Sequence, residues 1–301
     1  MLVITAMMLS VLLVQIFVVP VILEPTLSTG NIQESRIITK EGNFPVTFLD
    51  GCENVYIDVG ANIGIHGRKV FEGNLYPSFM QDYFDTYFGS KEYRNKPGNV
   101  CIVGFEMNPA HTKRLLALSE CYTHMGHKMF YFTETAVSNR DNDVVIGSGM
   151  VKEYGGERDS YLGARVINNE KAKGRNDTFL VSTINLARFV KAYVKNRKHT
   201  GNGTVLMKMD IEGAEIDALN GMLAQGALCD IIDAVTIEWH KDGMIRNFVD
   251  NLNTTTNNTF GCKMPVFIKA DDESYLRDGK PRPQECSHID IPLAPNGTNK
   301  H

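Results

Sequence analysis

The sequence predicts an α/β fold: a mostly parallel sheet of seven strands, the last antiparallel, with helices on both faces. Three observations predict it. Apolar runs of strand length alternate with helical patterns. One run, "VCIVGFE" (100–106), is apolar almost throughout, as a strand buried on both faces of a parallel sheet must be. The first strand ends in a glycine-rich turn, "YIDVGANIG" (56–64), that feeds a helix, and doubly wound sheets hold ligands at such turns.

The elements follow in order. Leu2 to Leu23 carry no charge, and about 20 apolar residues span a bilayer, so residues 1–24 read as a signal anchor, a single transmembrane helix. A cleaved signal peptide is the alternative. No Lys or Arg precedes the segment, so charge does not orient it. Sequons at Asn176, Asn202, Asn253, Asn257 and Asn296 do, placing the rest of the chain in the ER/Golgi lumen or outside the cell. Residues 25–50 form a polar connector, and 51–295 one domain.

Val55 to Val59 open the sheet. Residues 64–73 follow with helical spacing of Ile65, Val70 and Phe71. In the insert 74–99, Tyr76, Phe79, Tyr83, Phe84, Tyr87 and Phe88 recur at three- and four-residue steps, one apolar face of a helix. That face either packs on the core or walls a substrate pocket. Asn108 caps, and Pro109 begins, an amphipathic helix over 108–125. A third strand spans 128–137, with a hairpin-like continuation, and 152–178 is a glycine-punctuated loop. Helix 183–196, strand 204–210, helix 213–223, strand 231–240 and helix 243–254 come next. Residues 264–271 and 288–294 form two strands with no crossover helix between them, hence antiparallel neighbours.

The formal net charge of −4, with scattered Lys and Arg, argues against nucleic-acid binding, which needs a clustered basic face. The densest clump, Lys191 to Lys198, reads as the exposed face of a helix. The cysteines are Cys52, Cys101, Cys121, Cys229, Cys262 and Cys286, with no CxxC pair for a zinc ribbon or dithiol site. An even count permits disulfides. Cys52 and Cys101 lie near the starts of neighbouring strands and are the plausible pair. Cys286, placed before the antiparallel strand, belongs at the opposite end of the sheet and away from Cys262.

Ligands of doubly wound sheets sit at the carboxyl ends of the strands. Those ends carry Asp58, Glu106, Ala136 and Val137, Asp210, and Glu238. The turn lacks the Gly-Lys-[Ser/Thr] of a triphosphate cradle, and Asn62 stands where a dinucleotide fingerprint needs glycine. Asp58 repels a pyrophosphate and suits a cation, while Glu106 can bind a ribose diol with both oxygens. A ribose joined to a cationic amino-acid part, without phosphate, is S-adenosylmethionine. No cluster has metal-ligand spacing.

With these motifs the chain resembles the FkbM family of S-adenosylmethionine-dependent methyltransferases, over about residues 50–250. The matching segments are "YIDVGANIG" (56–64), "VGFEMNP" (103–109), "TAVSN" (135–139), "MKMDIEGAEIDALNGM" (207–222) and "TIEWH" (236–240). The resemblance implies a Rossmann-like class I methyltransferase fold and S-adenosyl-L-methionine as cofactor. It implies that Asp58, Gly60, Asn62 and Gly64 line the methionine part, that Glu106 takes the ribose hydroxyls, and that Ala136 and Val137 flank the adenine. Asp210, Glu212 and Glu215 then stand where cofactor and substrate meet. Two departures are visible. The family's Leu-Asp-Asp helix start is Ile184-Asn185-Leu186 here, and the aromatic insert lengthens the path from Gly64 to Glu106.

Methyl transfer from a sulfonium is an in-line displacement, and a hydroxyl acceptor must also lose a proton. Candidate bases are Asp210, Glu212, Glu238 and His240, whereas His66 reads as structural. The expected reaction is O-methylation of a hydroxyl on a glycan, lipid or small molecule in the secretory pathway. One rival is a luminal glycosyltransferase that holds a divalent cation on the DxD-like Asp141 and Asp143. Another is a binding protein that keeps the fold without turnover.

Overall fold

The computed structural model describes residues 47–148, 163–238, 263–269 and 280–292, plus four short strands outside those ranges. The chain runs β1 (Ile37–Thr39), β2 (Gly42–Phe44), β3 (Asn54–Val59), α1 (Ile65–Phe71), α2 (Met80–Phe88), α3 (Lys91–Arg94), β4 (Val100–Glu106), α4 (Thr112–His124), β5 (Lys128–Thr133), β6 (Thr135–Ser138) and β7 (Val144–Ser148). It continues with β8 (Val151–Lys152), β9 (Asp159–Ser160), β10 (Arg165–Ile167), α5 (Asn169–Ala172), β11 (Thr178–Asn185), α6 (Leu186–Phe189), β12 (Val205–Met209), α7 (Glu215–Ala224), β13 (Ala234–Ile237) and β14 (Val266–Lys269). The expected signal anchor, the helix at 243–254 and the sequons at 253, 257 and 296 lie outside the described residues. Among the described residues no helix is long and apolar enough to cross a membrane.

The central sheet has the order β14-β13-β12-β3-β4-β5, and every pair in it is parallel. The chain winds outward from β3 on one side and from β12 on the other, so the switch point lies between these two strands.

Alternation along each strand divides the core into two. Val55, Ile57, Val103, Phe105, Met207 and Met209 face one way and pack with Phe189, Tyr193 and Leu219. Tyr56, Ile102, Leu206 and Ala234 face the other and pack with Val70, Phe84, Leu115 and Leu118 of α1, α2 and α4. On this second face the strands turn polar near their carboxyl ends, at Asp58, Glu106, Lys208 and Thr236, all buried. Asp58 stands opposite Gly104 and Lys208, and Lys208 opposite Thr236. Gly104 leaves room for the Tyr131 ring: a methyl group there would lie 2.2 Å from it.

Several expectations need correction. The third strand is not continuous over 128–137. Glu134 takes a left-handed φ of 48° and turns the chain out of the central sheet. β6 then pairs parallel with β11 in a second sheet of order β10-β7-β11-β6. That sheet claims part of the expected 152–178 loop and also the start of the expected helix at 183. Its strand β11 runs through Asn185, whose side chain accepts the Arg188 N–H and caps α6. The helix continues as a π-helix over Val190–Lys195.

The aromatic insert is two helices. Gly89 ends α2, and Ser90 caps α3 by accepting the Tyr93 N–H. Buried Arg94 binds both helices to α1: its guanidinium donates to the carbonyls of Val70 and Gly89 and to the Asp85 carboxylate. Phe84 and Phe88 pack edge-on against Tyr56, so this helix covers the core. Tyr76 departs from the expected face and joins Ile63 and Ile65 instead.

β14 pairs parallel with β13, not antiparallel with a later strand. Residues 288–292 form no strand. They belong to a strap along α4: Cys286 is disulfide-bonded to Cys121 near the helix end, and the Pro292 carbonyl accepts from Arg114 near its start. Cys286 therefore lies where α4 ends, toward the amino ends of the strands, contrary to expectation. The Cys52–Cys101 disulfide joins the segment entering β3 to the start of β4, as expected. Cys229 is also disulfide-bonded, and no described cysteine is free.

Candidate active site

The glycine turn and the end of β4 are built as one unit. The N–H groups of Gly60 and Ala61 donate to the Phe105 carbonyl at 3.0 and 2.9 Å. One residue on, the Asn62 N–H donates to Glu106 Oε2 at 2.6 Å, and the Asn108 N–H donates to Glu106 Oε1 at 2.7 Å. Each Glu106 oxygen thus accepts one backbone N–H and keeps a second lone pair for a ligand hydroxyl. Burial raises the Glu106 pKa to about 7, against the lowering effect of those two donors.

Across the switch point the turn meets the end of β12. Gly60 has φ +83°, and a β-carbon there would lie 1.8 Å from the Asp210 carbonyl oxygen, so only glycine fits. The Asp210 N–H donates to the Val59 carbonyl at 2.9 Å. Buried Lys208 donates from Nζ to the Gly60 carbonyl at 2.7 Å and to Asp210 Oδ2 at 3.0 Å, and lies 3.8 Å from Asp58 Oδ1. Burial works against the Lys208 ammonium, but Asp210 and Asp58 outweigh it and raise its pKa above the ordinary lysine value.

Asp58 is fully buried, and neither carboxyl oxygen has a hydrogen-bond partner. Its pKa is raised to about 7, chiefly by burial, with Lys208 pulling it down and Asp210 and Glu106 pushing it up. The side-chain oxygen of Asn62 is a second buried acceptor without a donor. Buried acceptors without donors are costly. The site therefore suits a ligand that brings N–H donors, preferably with positive charge, beside vicinal hydroxyls for Glu106.

The other expected site residues divide. Gly64, with φ +80°, ends the turn and starts α1. Ala136 and Val137 lie beyond the Glu134 corner in β6, next to β11, rather than in the third strand of the central sheet. Glu212, with φ +55°, is directed toward Gly163: a methyl group there would lie 3.0 Å from its Oε1. Glu215 is a structural acid. Its Oε1 accepts from the N–H groups of Ile211 and Gly213 and fastens the loop into α7. Glu238 follows β13, with its N–H on the Met209 carbonyl, and is close enough to Lys208 to raise the lysine pKa. His240 lies outside the described residues. His66 is buried, and burial with Lys208 and Lys69 nearby lowers its pKa well below the usual value, so it stays neutral.

Asp141 and Asp143 are both engaged within the chain. Asp141 accepts the Asn185 N–H and pairs with Arg188, while Asp143 pairs with Arg140. Among the described residues no three His, Cys, Asp or Glu gather to hold a metal.

Lys208 is the site residue that motif reading passes over. A signal for it exists. A lysine inside a strand that is otherwise apolar must be paired, and its position two residues before Asp210 puts it level with Asp58.

A family model described as a methyltransferase FkbM domain matches residues 58–256, from the end of β3 past the end of β13. No curated protein and no solved structure matches the chain.

Proposed function

The chain belongs to the FkbM methyltransferase family, and we propose that it moves the methyl group of S-adenosylmethionine to a hydroxyl of a glycan, lipid or small molecule in the secretory pathway. The observation that carries this reading is the set of buried acceptors without donors, both oxygens of Asp58 and the side-chain oxygen of Asn62. They fit the ammonium group of a methionine part. Glu106, with each oxygen taking a single N–H, fits the ribose hydroxyls. When bound, S-adenosylmethionine supplies an electrophilic methyl on a sulfonium.

The remaining work falls to the chain. Asp58 in its ionised form holds the cationic end, and Glu106 sets the rotation of the sugar. Ala136 and Val137 line the adenine side. Asp210, tied to Lys208, keeps the mouth of the switch point in shape. Removal of the acceptor proton falls to one of Asp210, Glu212, Glu238 and His240, with the intrinsic pKa of a histidine the best matched to working pH.

The disulfides support the compartment. Cys52–Cys101 and Cys121–Cys286 persist where the surroundings are oxidising. The sequons at Asn176 and Asn202 are exposed, as glycan attachment requires.

The test is a titration of the purified full-length chain with S-adenosylmethionine and, separately, with UDP-sugars plus manganese. Saturable S-adenosylmethionine binding and no manganese-dependent nucleotide-sugar binding supports the reading; the reverse pattern overturns it. Binding without methylation of any member of a glycan and lipid panel favours the binding protein without turnover.

A further inference from the structure

We propose that Lys208 is a positioning residue for the cofactor: its ammonium ties the Gly60 carbonyl to the Asp210 carboxylate across the switch point and holds the Asp58 carboxyl toward the bound cation. This inference rests on the S-adenosylmethionine reading above.

The placement of Lys208 argues for such a role. It lies inside β12, all of whose residues are buried, between Met207 and Met209. Burying an ammonium is expensive, and an apolar side chain in that place would serve packing better. The cost is offset only by partners, and its hydrogen-bond and ion-pair partners lie at the carboxyl ends of β3 and β12: Gly60 O at 2.7 Å, Asp210 Oδ2 at 3.0 Å and Asp58 Oδ1 at 3.8 Å. One side chain thus touches the chain exits of both β3 and β12.

The groups around Asp58 show what the ammonium balances. Asp210 follows β12 and Glu106 ends β4, and both press a proton onto Asp58. Lys69, buried on α1, opposes them, as Lys208 does more strongly. His66 of α1 stays neutral, and Glu238 after β13 acts on Lys208 itself. Without Lys208, Asp58 keeps its proton to higher pH and stops serving as a counter-charge. The Gly60 carbonyl also loses its donor.

The experiment compares the full-length wild type with Lys208→Met and Lys208→Arg. Affinity for S-adenosylmethionine is measured from pH 6 to 9, and the Asp58 carboxyl is titrated by carbon NMR without ligand. Lys208→Met is expected to weaken binding at least tenfold and to move both the binding midpoint and the Asp58 midpoint to higher pH. Lys208→Arg is expected to restore most of the affinity. Thermal melts confirm folding; if Lys208→Met does not fold, Lys208→Gln, which removes the charge but keeps an N–H donor on a side chain of similar length, is expected to move the Asp58 midpoint to higher pH and weaken binding in its place. If the wild type binds but the variants show wild-type affinity and unmoved midpoints, Lys208 has only a structural role. If the wild type does not bind, the cofactor reading fails, and this assignment fails with it.

Discussion

Glu106 at the end of β4 holds the backbone N–H of Asn62, 44 residues earlier in the chain, at 2.6 Å. The same carboxylate holds the Asn108 N–H with its other oxygen. The glycine turn and the loop after β4 are therefore shaped by one side chain, which also faces the proposed ribose. Replacing Glu106 by Ala leaves two buried N–H groups without acceptors. The expected loss is about 1–3 kcal/mol for each, read by urea unfolding, with more than tenfold weaker cofactor binding. Glu106→Gln retains one acceptor oxygen and should lose less of both.

Gly60→Ala tests the contact between the two halves of the sheet. Its added methyl group would meet the Asp210 carbonyl at 1.8 Å, in a backbone conformation that alanine avoids. The strand ends must separate. A destabilisation of about 3 kcal/mol is expected, with loss of cofactor binding. Denaturant unfolding and a binding isotherm measure the two effects.

The buried carboxyls make stability depend on pH. Asp58 and Glu106 have folded-state pKa values of about 7, above their ordinary 3.8 and 4.5. Between those limits the folded chain holds protons at these two sites that the unfolded chain has released, so their contribution to stability falls as pH rises toward 7 and levels off above it. His66, held neutral by burial, titrates in the opposite sense, so the carboxyl contribution is read as a difference: without ligand, the melting temperature of Asp58→Asn should change less favourably toward pH 5 than that of the wild type. Cofactor affinity should run the other way, rising through pH 7 as Asp58 ionises.

Cys52 and Cys101 close a loop across 49 positions. Chain-entropy arithmetic assigns such a bridge about 4 kcal/mol. The double serine variant should lose about 2–4 kcal/mol by urea unfolding and keep cofactor binding under native conditions, because the bridge lies at the end of the sheet away from the site.

The sheet and much of the site were legible in the sequence because they obey local rules. β4 reads as a buried strand from its unbroken apolar run, and the turn after β3 declares itself by glycine and by the acid before it. What escaped was decided by distant contacts. Nothing in "TETAV" announces the left-handed Glu134 that sends β6 into a second sheet. Ile184 and Asn185 read as a helix start because the neighbours that recruit them as strand, Val137 and Ser138, are remote in sequence. Residues 288–292 alternate like a strand, but the Cys121–Cys286 bridge and the Arg114 guanidinium hold them to α4. Lys208 was hidden in its motif, since its meaning depends on the register that sets it beside Asp58.

The most direct test of the account is calorimetric titration of the full-length chain with S-adenosylmethionine at pH 8, with Asp58→Ala and Glu106→Ala alongside. The wild type should bind one equivalent with a Kd on the order of micromolar, and each variant should bind at least tenfold more weakly while still melting cooperatively. Absence of binding by the wild type, or unchanged binding by folded variants, would contradict the assignment of this site.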